Sequence, residues 1–167
     1  MLELEKISKD YTVRKIEEKD AEEVYQLFEG NPLYFEYCPP APSIEMVYAD
    51  MIALPPRKTM KDKYYCGYFK DNKLVAVLDL IEKYPDSETA FIGFFMVLKK
   101  LQGKGFGTLL VDELMAYLKE IGYKHVRLGY VLGNEQATNF WTKNSFVPTG
   151  HIANCPEYKI VMAQREL

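Results

Sequence analysis

Two patterns of apolar residues occur along this chain, short continuous runs and a helical period, and they predict where its strands and helices lie. Residues 63–69 and 74–84 carry runs of tyrosine, valine and leucine, with the turn sequence KDNK between them. Runs of this length between turn residues are typical of strands, and a short connection favours antiparallel pairing. Residues 89–97 form a third run, which is too apolar to be half exposed. We therefore predict three consecutive strands in the middle of the chain.

A helical period appears elsewhere. The clearest example begins near Gly105 and ends at Ile121; its apolar residues recur every three or four positions, and Gly122 supplies a C-terminal cap. Shorter helices are predicted at 19–30, 43–54 and 134–144, and further strands at 11–17, 124–132, 146–153 and 157–164. The aromatic and proline-rich residues 31–43 are expected to form an ordered loop or a broken helix.

The order of these elements predicts the fold class. The strand at 89–97, the helix near 105–121 and the strand at 124–132 form a crossover, which implies parallel pairing and a right-handed β-α-β unit. Antiparallel hairpins precede this unit. We predict an α/β (α+β) fold with a mixed, mostly antiparallel sheet of six to seven strands and helices on both faces. No internal repeat or long linker interrupts the 167 residues, so residues 1–167 are expected to form a single domain.

Composition excludes several classes of function. With 48% apolar and 27% charged residues, the chain is in the globular range. A net charge of −3 gives no basic surface for nucleic acid or an anionic membrane, and no apolar run approaches the ~18 residues of a membrane span. The first ten residues carry acids and lack an apolar segment, so no secretory signal is expected.

The cysteines and histidines indicate the compartment and argue against a metal. Cys38, Cys66 and Cys155 are odd in number and far apart, which fits reduced thiols in the cytoplasm better than a disulfide framework. His125 and His151 are the only histidines, and neither lies at a metal-ligand spacing from other ligands. We expect a cytoplasmic protein with no metal site.

Three alternating glycines stand where the long helix must begin. Gly103, Gly105 and Gly107 are unfavourable there by up to ~1 kcal/mol each relative to alanine, so another requirement selects them. The first amides of a helix lack internal partners and carry partial positive charge, and a turn without Cβ atoms lets phosphates approach them. A pyrophosphate would suit this turn, although a tight β-to-α turn is the simpler alternative. The spacing matches neither a P-loop nor a dinucleotide fingerprint.

Two further patterns point to one family. Gln102, Gly105 and Gly107 give Q-x-x-G-x-G after an apolar strand and before an amphipathic helix. The sequence NEQATNFWTKNSF, residues 134–146, fits N-x-x-A-x-x-F-[YW]-x-K-x-G-F, except that Ser145 replaces the usual glycine. Together, over about residues 64–150, these motifs resemble the GNAT superfamily of N-acetyltransferases, which use acyl-CoA.

The resemblance implies where acetyl-CoA would bind. Strands on either side of the glycine turn would splay apart, and backbone groups of Met96, Val97 and Leu98 would hold the pantetheine arm. Amides of one continuous segment would hold the pyrophosphate: Gln102, Gly103, Lys104, Gly105, Phe106, Gly107 and Thr108. Asn134 would bond the arm, Phe140 would line its channel and Lys143 would meet a phosphate. Core packing is the alternative for Phe140, and a solvated surface charge is the alternative for Lys143.

The usual proton-transfer residues of the family are missing. Gly129 stands where a glutamate base is common and Trp141 where a tyrosine acid is common. Asp79 is the best substitute base, because a carboxylate among apolar strand residues is costly unless it has a partner or a raised pKa. Its alternative role is a carboxylate satisfied by a neighbour. Tyr130 is a candidate proton relay, with core packing as the alternative.

Acceptor recognition is assigned to the proline-rich segment. Glu36 lies among aromatic residues between Tyr34 and Tyr37, a composition that suits a cationic amine. Tyr84, at the adjoining turn, is expected to complete the pocket. The alternative is a loop anchored by its aromatic side chains.

The resemblance leads to one functional expectation and one rival. We expect an N-acetyltransferase that moves an acetyl group from acetyl-CoA to a primary amine of a small molecule or peptide by direct attack in a ternary complex. The rival is a catalytically weak or inactive acyl-CoA-binding sensor, which the missing proton-transfer pair favours. Neither nucleic acid nor membrane is expected as a partner, and a homodimer is possible.

Overall fold

Seven strands form a single sheet in the computed structural model, which describes residues 1–167. The strands are β1 (Thr12–Lys15), β2 (Lys63–Lys70), β3 (Lys73–Ile81), β4 (Thr89–Val97), β5 (His125–Val131), β6 (Val147–Asn154) and β7 (Lys159–Glu166). Their spatial order is β1-β2-β3-β4-β5-β7-β6, and every neighbouring pair is antiparallel except β4 and β5. The predicted mixed, mostly antiparallel sheet with a central parallel β-α-β unit is confirmed.

Five α-helices accompany the sheet, three on one face and two on the other. They are α1 (Ala21–Glu29), α2 (Pro32–Tyr37), α3 (Ile44–Ile52), α4 (Phe106–Glu120) and α5 (Glu135–Lys143). Helix α2 is the broken helix expected in the proline-rich segment, and residues 38–43 after it have no regular structure. None of the five α-helices has the length and apolar character that crossing a membrane would require.

The two faces of the sheet bury separate cores, because alternate strand residues point in opposite directions. On one face, Leu78 and Leu80 of β3 pack with Leu110 and Leu114 of α4. On the other face, side chains of α1, α2 and α3 pack against Val77 and its neighbours. Because both faces are covered, the central strands are apolar along almost their whole length. Asp79 lies in the same alternating row as Val77, on the face that α1, α2 and α3 cover.

The parallel strands separate halfway along their length. Strands β4 and β5 pair from Thr89 opposite His125 only as far as Ile92 opposite Leu128. At the same level the β3–β4 register shifts, because Asp79 opposes Phe94 and Leu80 opposes Ile92. Gly93 is thus the extra residue of a β-bulge, which bends a strand and disrupts its ladder. Beyond this point the carboxyl-terminal halves of β4 and β5 form the sides of an open gap.

Candidate active site

A cavity of about 670 Å³ fills the gap between β4 and β5. Residues 92–97 of β4 and 128–131 of β5 form its sides. It extends from the glycine turn before α4 to α2 and to Tyr158, which precedes β7. The bulge at Gly93 therefore creates a site that runs through the sheet from one face to the other.

The first turn of α4 presents free backbone amides at one end of this cavity. Gly105 is the N-cap residue and no side chain caps the helix. Within the protein, the first helical amide with a backbone acceptor is that of Leu109, which donates to the Gly105 carbonyl at 3.0 Å. The amides of residues 103–108 donate no hydrogen bond in the molecule. Free amides at a helix start form a binding site for an anion such as a phosphate.

The glycines of this turn are required by backbone shape and by close packing. Gly103 and Gly105 have φ angles of +75° and +80°, a left-handed conformation that L-residues rarely adopt. A Cβ atom at Gly107 would lie 3.0 Å from Cε2 of Phe140, so glycine lets α5 approach the start of α4. Gly103 and Gly105 thus allow the turn, and Gly107 allows α5 to pack against it. The free amides of the turn stay accessible from the cavity as a result.

Helix α5 supplies the wall beside this turn. Asn134 is buried at its N-cap, where Oδ1 accepts a hydrogen bond from the Ala137 amide at 3.1 Å. The Phe140 ring stacks on Phe95 of β4 with centroids 6.1 Å apart, and both rings line the cavity. Phe140 therefore combines the two roles considered from the sequence, since it packs against other side chains and faces the cavity.

The predicted contacts of β4 divide by strand alternation. The Leu98 amide donates to the Val75 carbonyl of β3 at 2.9 Å, and bonds of an antiparallel ladder recur at alternate residues. Met96 therefore faces β3 as Leu98 does, whereas the Val97 backbone faces the cavity. The Val97 carbonyl accepts hydrogen bonds from Gln102 Nε2 at 2.7 Å and Asn31 Nδ2 at 3.3 Å. The Val97 amide is the backbone donor of this group that points into the gap.

Gln102 connects the glycine turn to the end of β4 and to Asn31 through its side chain. Its backbone amide donates to the Lys99 carbonyl at 3.1 Å and is not among the free amides. Its side-chain Nε2 also donates to Oδ1 of Asn31 at 2.6 Å. Asn31 is buried between α1 and α2, and its own Nδ2 donates to the Leu27 carbonyl at 2.9 Å. The sequence analysis did not identify Asn31, because its burial and its contact with Gln102 are visible only in the structure.

Positive charge gathers around the same end of the cavity. Lys143 and Lys99 line it, and both side chains are exposed. The Lys104 side chain is exposed and lies outside the lining, while the Phe106 ring packs edge-on against Tyr11 at 5.4 Å. Lys104 and Phe106 contribute free amides to the turn rather than side chains to the wall.

The two positions where the family usually carries its proton-transfer pair are filled by packing. A Cβ atom at Gly129 would lie 2.5 Å from Cγ2 of Ile160 on the neighbouring strand β7, so any side chain there would clash. Trp141 is buried against Phe146 at 5.2 Å and Phe140 at 4.8 Å. Ile160 therefore occupies the space that a glutamate side chain at position 129 would need.

Asp79 forms a buried ion pair. Both carboxylate oxygens lie 2.7 Å from Nζ of Lys63, whose side chain is 0% exposed. Burial raises the pKa of Asp79, while the Lys63 ammonium opposes the shift. A Cβ atom at Gly93 would lie 2.7 Å from Oδ2 of Asp79, so this carboxylate lies directly behind the glycine that lines the cavity. Asp79 itself is outside the lining.

A second carboxylate accompanies this pair. Burial, followed by the negative charge of Asp79, raises the pKa of Asp50 on α3 to about 6, and Lys63 opposes the shift. The buried hydroxyl of Tyr65 also lies in this group and has no hydrogen-bond partner. Neither Lys63 nor Asp50 was identified from the sequence. A lysine at the first position of a strand gives no signal of burial, and Asp50 lies on a short helix of mixed character.

The far end of the cavity is aromatic. Tyr34 of α2 lines it together with Cys38 and Tyr158, which the sequence analysis missed. Tyr130 of β5 also lines the cavity, but its side chain is buried in the core on the α4 face of the sheet. Burial and then the Cys38 side chain raise the pKa of Tyr34, and the Cys38 side chain is also the first cause of the raised pKa of Tyr158. The thiol therefore lies near two phenol groups from distant parts of the chain.

The other predicted acceptor residues lie outside the cavity lining. Glu36 is exposed on α2 and Tyr37 is half-buried beside it. Tyr84 packs edge-on against Phe91 at 5.4 Å, near the amino-terminal end of β4 and away from its divergent half. Of the four predicted acceptor residues, the structure brings only Tyr34 to the cavity.

Comparisons with known proteins agree with this geometry. An acetyltransferase from Thermus thermophilus has a similar fold, with a TM-score of 0.74 and 21% identity over 95% of this chain and 98% of that one. An acetyl transferase from Salmonella typhimurium that modifies the N-terminal serine of ribosomal protein L7/L12 gives a TM-score of 0.72 and 19% identity over 96% and 97%.

A third structure contains a ligand. The PaiA N-acetyltransferase from Thermoplasma acidophilum, solved in complex with coenzyme A, gives a TM-score of 0.67 and 17% identity over 95% of this chain and 100% of that one. No curated protein sequence matches the chain significantly. The model of the acetyltransferase (GNAT) family matches residues 14–146, which include β4, the glycine turn, α4, β5 and α5. The chain belongs to the acetyltransferase (GNAT) family.

Proposed function

We propose that this protein is an N-acetyltransferase that transfers an acetyl group from acetyl-CoA to a primary amine of a small molecule or peptide. The observation that carries the proposal is the row of free amides at residues 103–108, which opens into the gap between β4 and β5. Family membership and the coenzyme A bound to the Thermoplasma acidophilum protein support the choice of cofactor. A cytoplasmic location and a homodimer remain parts of the proposal.

The residues present fit coenzyme A. Free amides of residues 103–108 would hold the pyrophosphate, with Lys99 and Lys143 beside them to offset its charge. The Val97 amide and Asn134 would hold the pantetheine arm, and the stacked rings of Phe95 and Phe140 would line its channel. When bound there, acetyl-CoA supplies the acetyl group as an activated thioester.

The chain's own groups have three tasks in the transfer. They hold the acceptor nitrogen next to the acetyl carbon, stabilise the negative charge that develops on the carbonyl oxygen, and manage one proton. Backbone amides on the cavity side of β4 are suited to the second task. We assign the handling of the proton to Asp79, which lies behind Gly93, and to Tyr130, which is one of the residues that line the cavity.

A combined binding and turnover experiment tests the proposal. Titration calorimetry should detect coenzyme A binding, and acetyl-CoA with a panel of amines should release free thiol and acetylated amine. Binding without turnover on any small amine or peptide would favour the acyl-CoA-binding sensor, which is supported by the packed positions Gly129 and Trp141. Absence of coenzyme A binding would contradict both functions.

Cysteine labelling provides an independent check of the site. Cys38 lines the cavity, whereas Cys66 is 0% exposed in the core. We expect iodoacetamide to alkylate Cys38 and not Cys66 in the folded protein, and saturating acetyl-CoA, which has no free thiol to consume the reagent, to slow Cys38 alkylation at least ~10-fold. Mass spectrometry of tryptic peptides measures both rates. Cys155, half-buried and outside the cavity lining, is the internal control whose rate should not respond to acetyl-CoA.

A further inference from the structure

The cavity carries no carboxylate in its lining. Its lining residues include neither aspartate nor glutamate nor histidine, and its charged members are Lys99 and Lys143. Lys143 precedes Asn144, which donates from Nδ2 to Thr108 at 3.3 Å, so this charge lies beside the glycine turn. The end that an acceptor would occupy is lined by Tyr34, Cys38, Tyr158 and Ile160.

The carboxylates nearest to that end stay outside the cavity wall. Asp79 binds the Lys63 ammonium at 2.7 Å through both oxygens and lies behind Gly93. Asp50 shares that ammonium and its charge acts on Tyr34, but it does not line the cavity, and Glu36 is exposed on α2. An ammonium group entering this end would leave water without contacting a carboxylate.

The balance of energies favours an uncharged amine. Removing a cation from water without a counter-charge is far more costly than the contact of a cation with aromatic rings is favourable. The tyrosine-rich walls would instead accept an apolar or aromatic body, with hydroxyl groups available to hydrogen-bond a neutral nitrogen. The site therefore selects for the neutral form of its acceptor.

On the basis of the proposed acetyl transfer, we infer that the acceptor is a weakly basic amine on an apolar or aromatic body, with a pKa low enough that the neutral form is readily available at neutral pH. Two sources share this chemistry: an aromatic amine and the α-amine of a peptide. At pH 7 about one in seven α-amines of pKa ~7.8 is neutral, against roughly one in 2,500 side-chain amines of pKa ~10.4.

This acceptor also accounts for the packed proton-transfer positions. The amine nitrogen bonds to the acetyl carbon, the carbon–sulfur bond breaks, and the proton that the nitrogen loses ends on the departing sulfur. No base is needed to remove a proton from the amine before attack, because it arrives neutral; the proton that Asp79 and Tyr130 would manage is the one that the nitrogen loses after attack. Ile160 can thus occupy the space beside Gly129 without loss of the reaction.

Matched amines across pH test the inference in the unmodified protein. We would compare an aniline-type amine with a benzylic amine on the same ring, and a peptide with a free α-amine with the same peptide carrying only a free lysine amine. At pH 7, the weakly basic member of at least one pair should have a kcat/KM at least ~10-fold higher.

The pH profiles sharpen the comparison. From pH 7 to 9, kcat/KM for the benzylic and lysine amines should rise toward tenfold per pH unit below the amine pKa, whereas for the α-amine it should level off above about pH 8. The aniline-type amine should show no such rise. A benzylic, lysine or polyamine substrate that is preferred at pH 7 with a flat profile would overturn the inference.

A paired variant provides a second test. In the double variant G129E/I160A, the Cγ2 atom that blocks position 129 is gone and a carboxylate can enter the acceptor end. Relative to I160A alone, the double variant should raise the ratio of kcat/KM for the benzylic amine to kcat/KM for the aniline-type amine at pH 7 by ~10-fold or more. An unchanged ratio would contradict the inference; circular dichroism confirms that both variants fold.

Failure of the inference and failure of the proposed function give different results. If strongly basic amines are the better substrates, acetyl transfer stands and only the acceptor class is wrong. If coenzyme A binds and no amine of either class releases thiol, the transferase proposal is wrong and the acceptor class with it.

Discussion

The variant G105V is expected to lose coenzyme A binding by ~10²-fold or more. Gly105 has a φ of +80°, and a valine there is strained by about 1–2 kcal/mol even though space around its Cβ is open. Relief of that strain would turn the amides at the start of α4 away from their common direction. Each hydrogen bond to a charged group contributes about 1.5–3 kcal/mol, so losing two would lower affinity by two orders of magnitude or more. Titration calorimetry with coenzyme A measures the loss.

The other end of the same helix supplies a matched control. Gly122 follows α4 with a φ of +98°, and it too has open space around its Cβ. The variant G122V should therefore carry a similar strain and a similar loss of thermal stability, with coenzyme A affinity unchanged. Equal weakening of coenzyme A binding by both variants would mean that the α4 amides do not hold the pyrophosphate.

Breaking the Lys63–Asp79 pair is expected to be the most destabilising single change in the candidate site. In D79A the buried ammonium of Lys63 loses its counter-charge, and uncompensated buried charges of this kind cost about 3–5 kcal/mol. For a chain of this length the midpoint of thermal unfolding should fall by roughly 6–20 °C. The double variant K63M/D79L, which replaces both charges by apolar groups, should recover most of that loss. Differential scanning calorimetry distinguishes the two.

Variants of the same two residues distinguish an effect on stability from an effect on turnover. D79N should lower turnover at pH 7 by ~10²-fold or more if Asp79 handles a proton, with little change in coenzyme A affinity. K63M/D79L should then be stable and slow. Turnover in D79N that matches the unmodified protein throughout pH 6–9 would assign Asp79 to structure alone.

The glycine turn of the candidate site and the elements around it could be predicted because their signals are local in sequence. Gly103, Gly105 and Gly107 conflict with helix propensity, and that conflict indicates a requirement other than stability. The strand before the turn and the helix after it follow from hydrophobic period alone, and β4 has the predicted bounds 89–97. The αL conformation predicted by the cap at Gly122 is also present.

The acceptor half depends on contacts that periodicity does not encode. Strand β7 inserts between β5 and β6, which brings Ile160 against Gly129 and Tyr158 toward Cys38. Hydrophobic period predicts these strands but not their spatial order, so neither contact could be foreseen. The sequence likewise indicated that Asp79 needs a partner, but not that a lysine of β2 would supply it.

The hydrogen bonds of Gln102 connect the segment at one end of the cavity to the segment at the other end. Gln102 lies just before the glycine turn, and Asn31, which it contacts, lies just before the helix that carries Tyr34. Both side chains also donate hydrogen bonds to the Val97 carbonyl, so a shift of either segment would break contacts with the other. An occupant that stiffens the turn should also stiffen the aromatic wall, and we expect the two ligands to enter in a preferred sequence rather than independently.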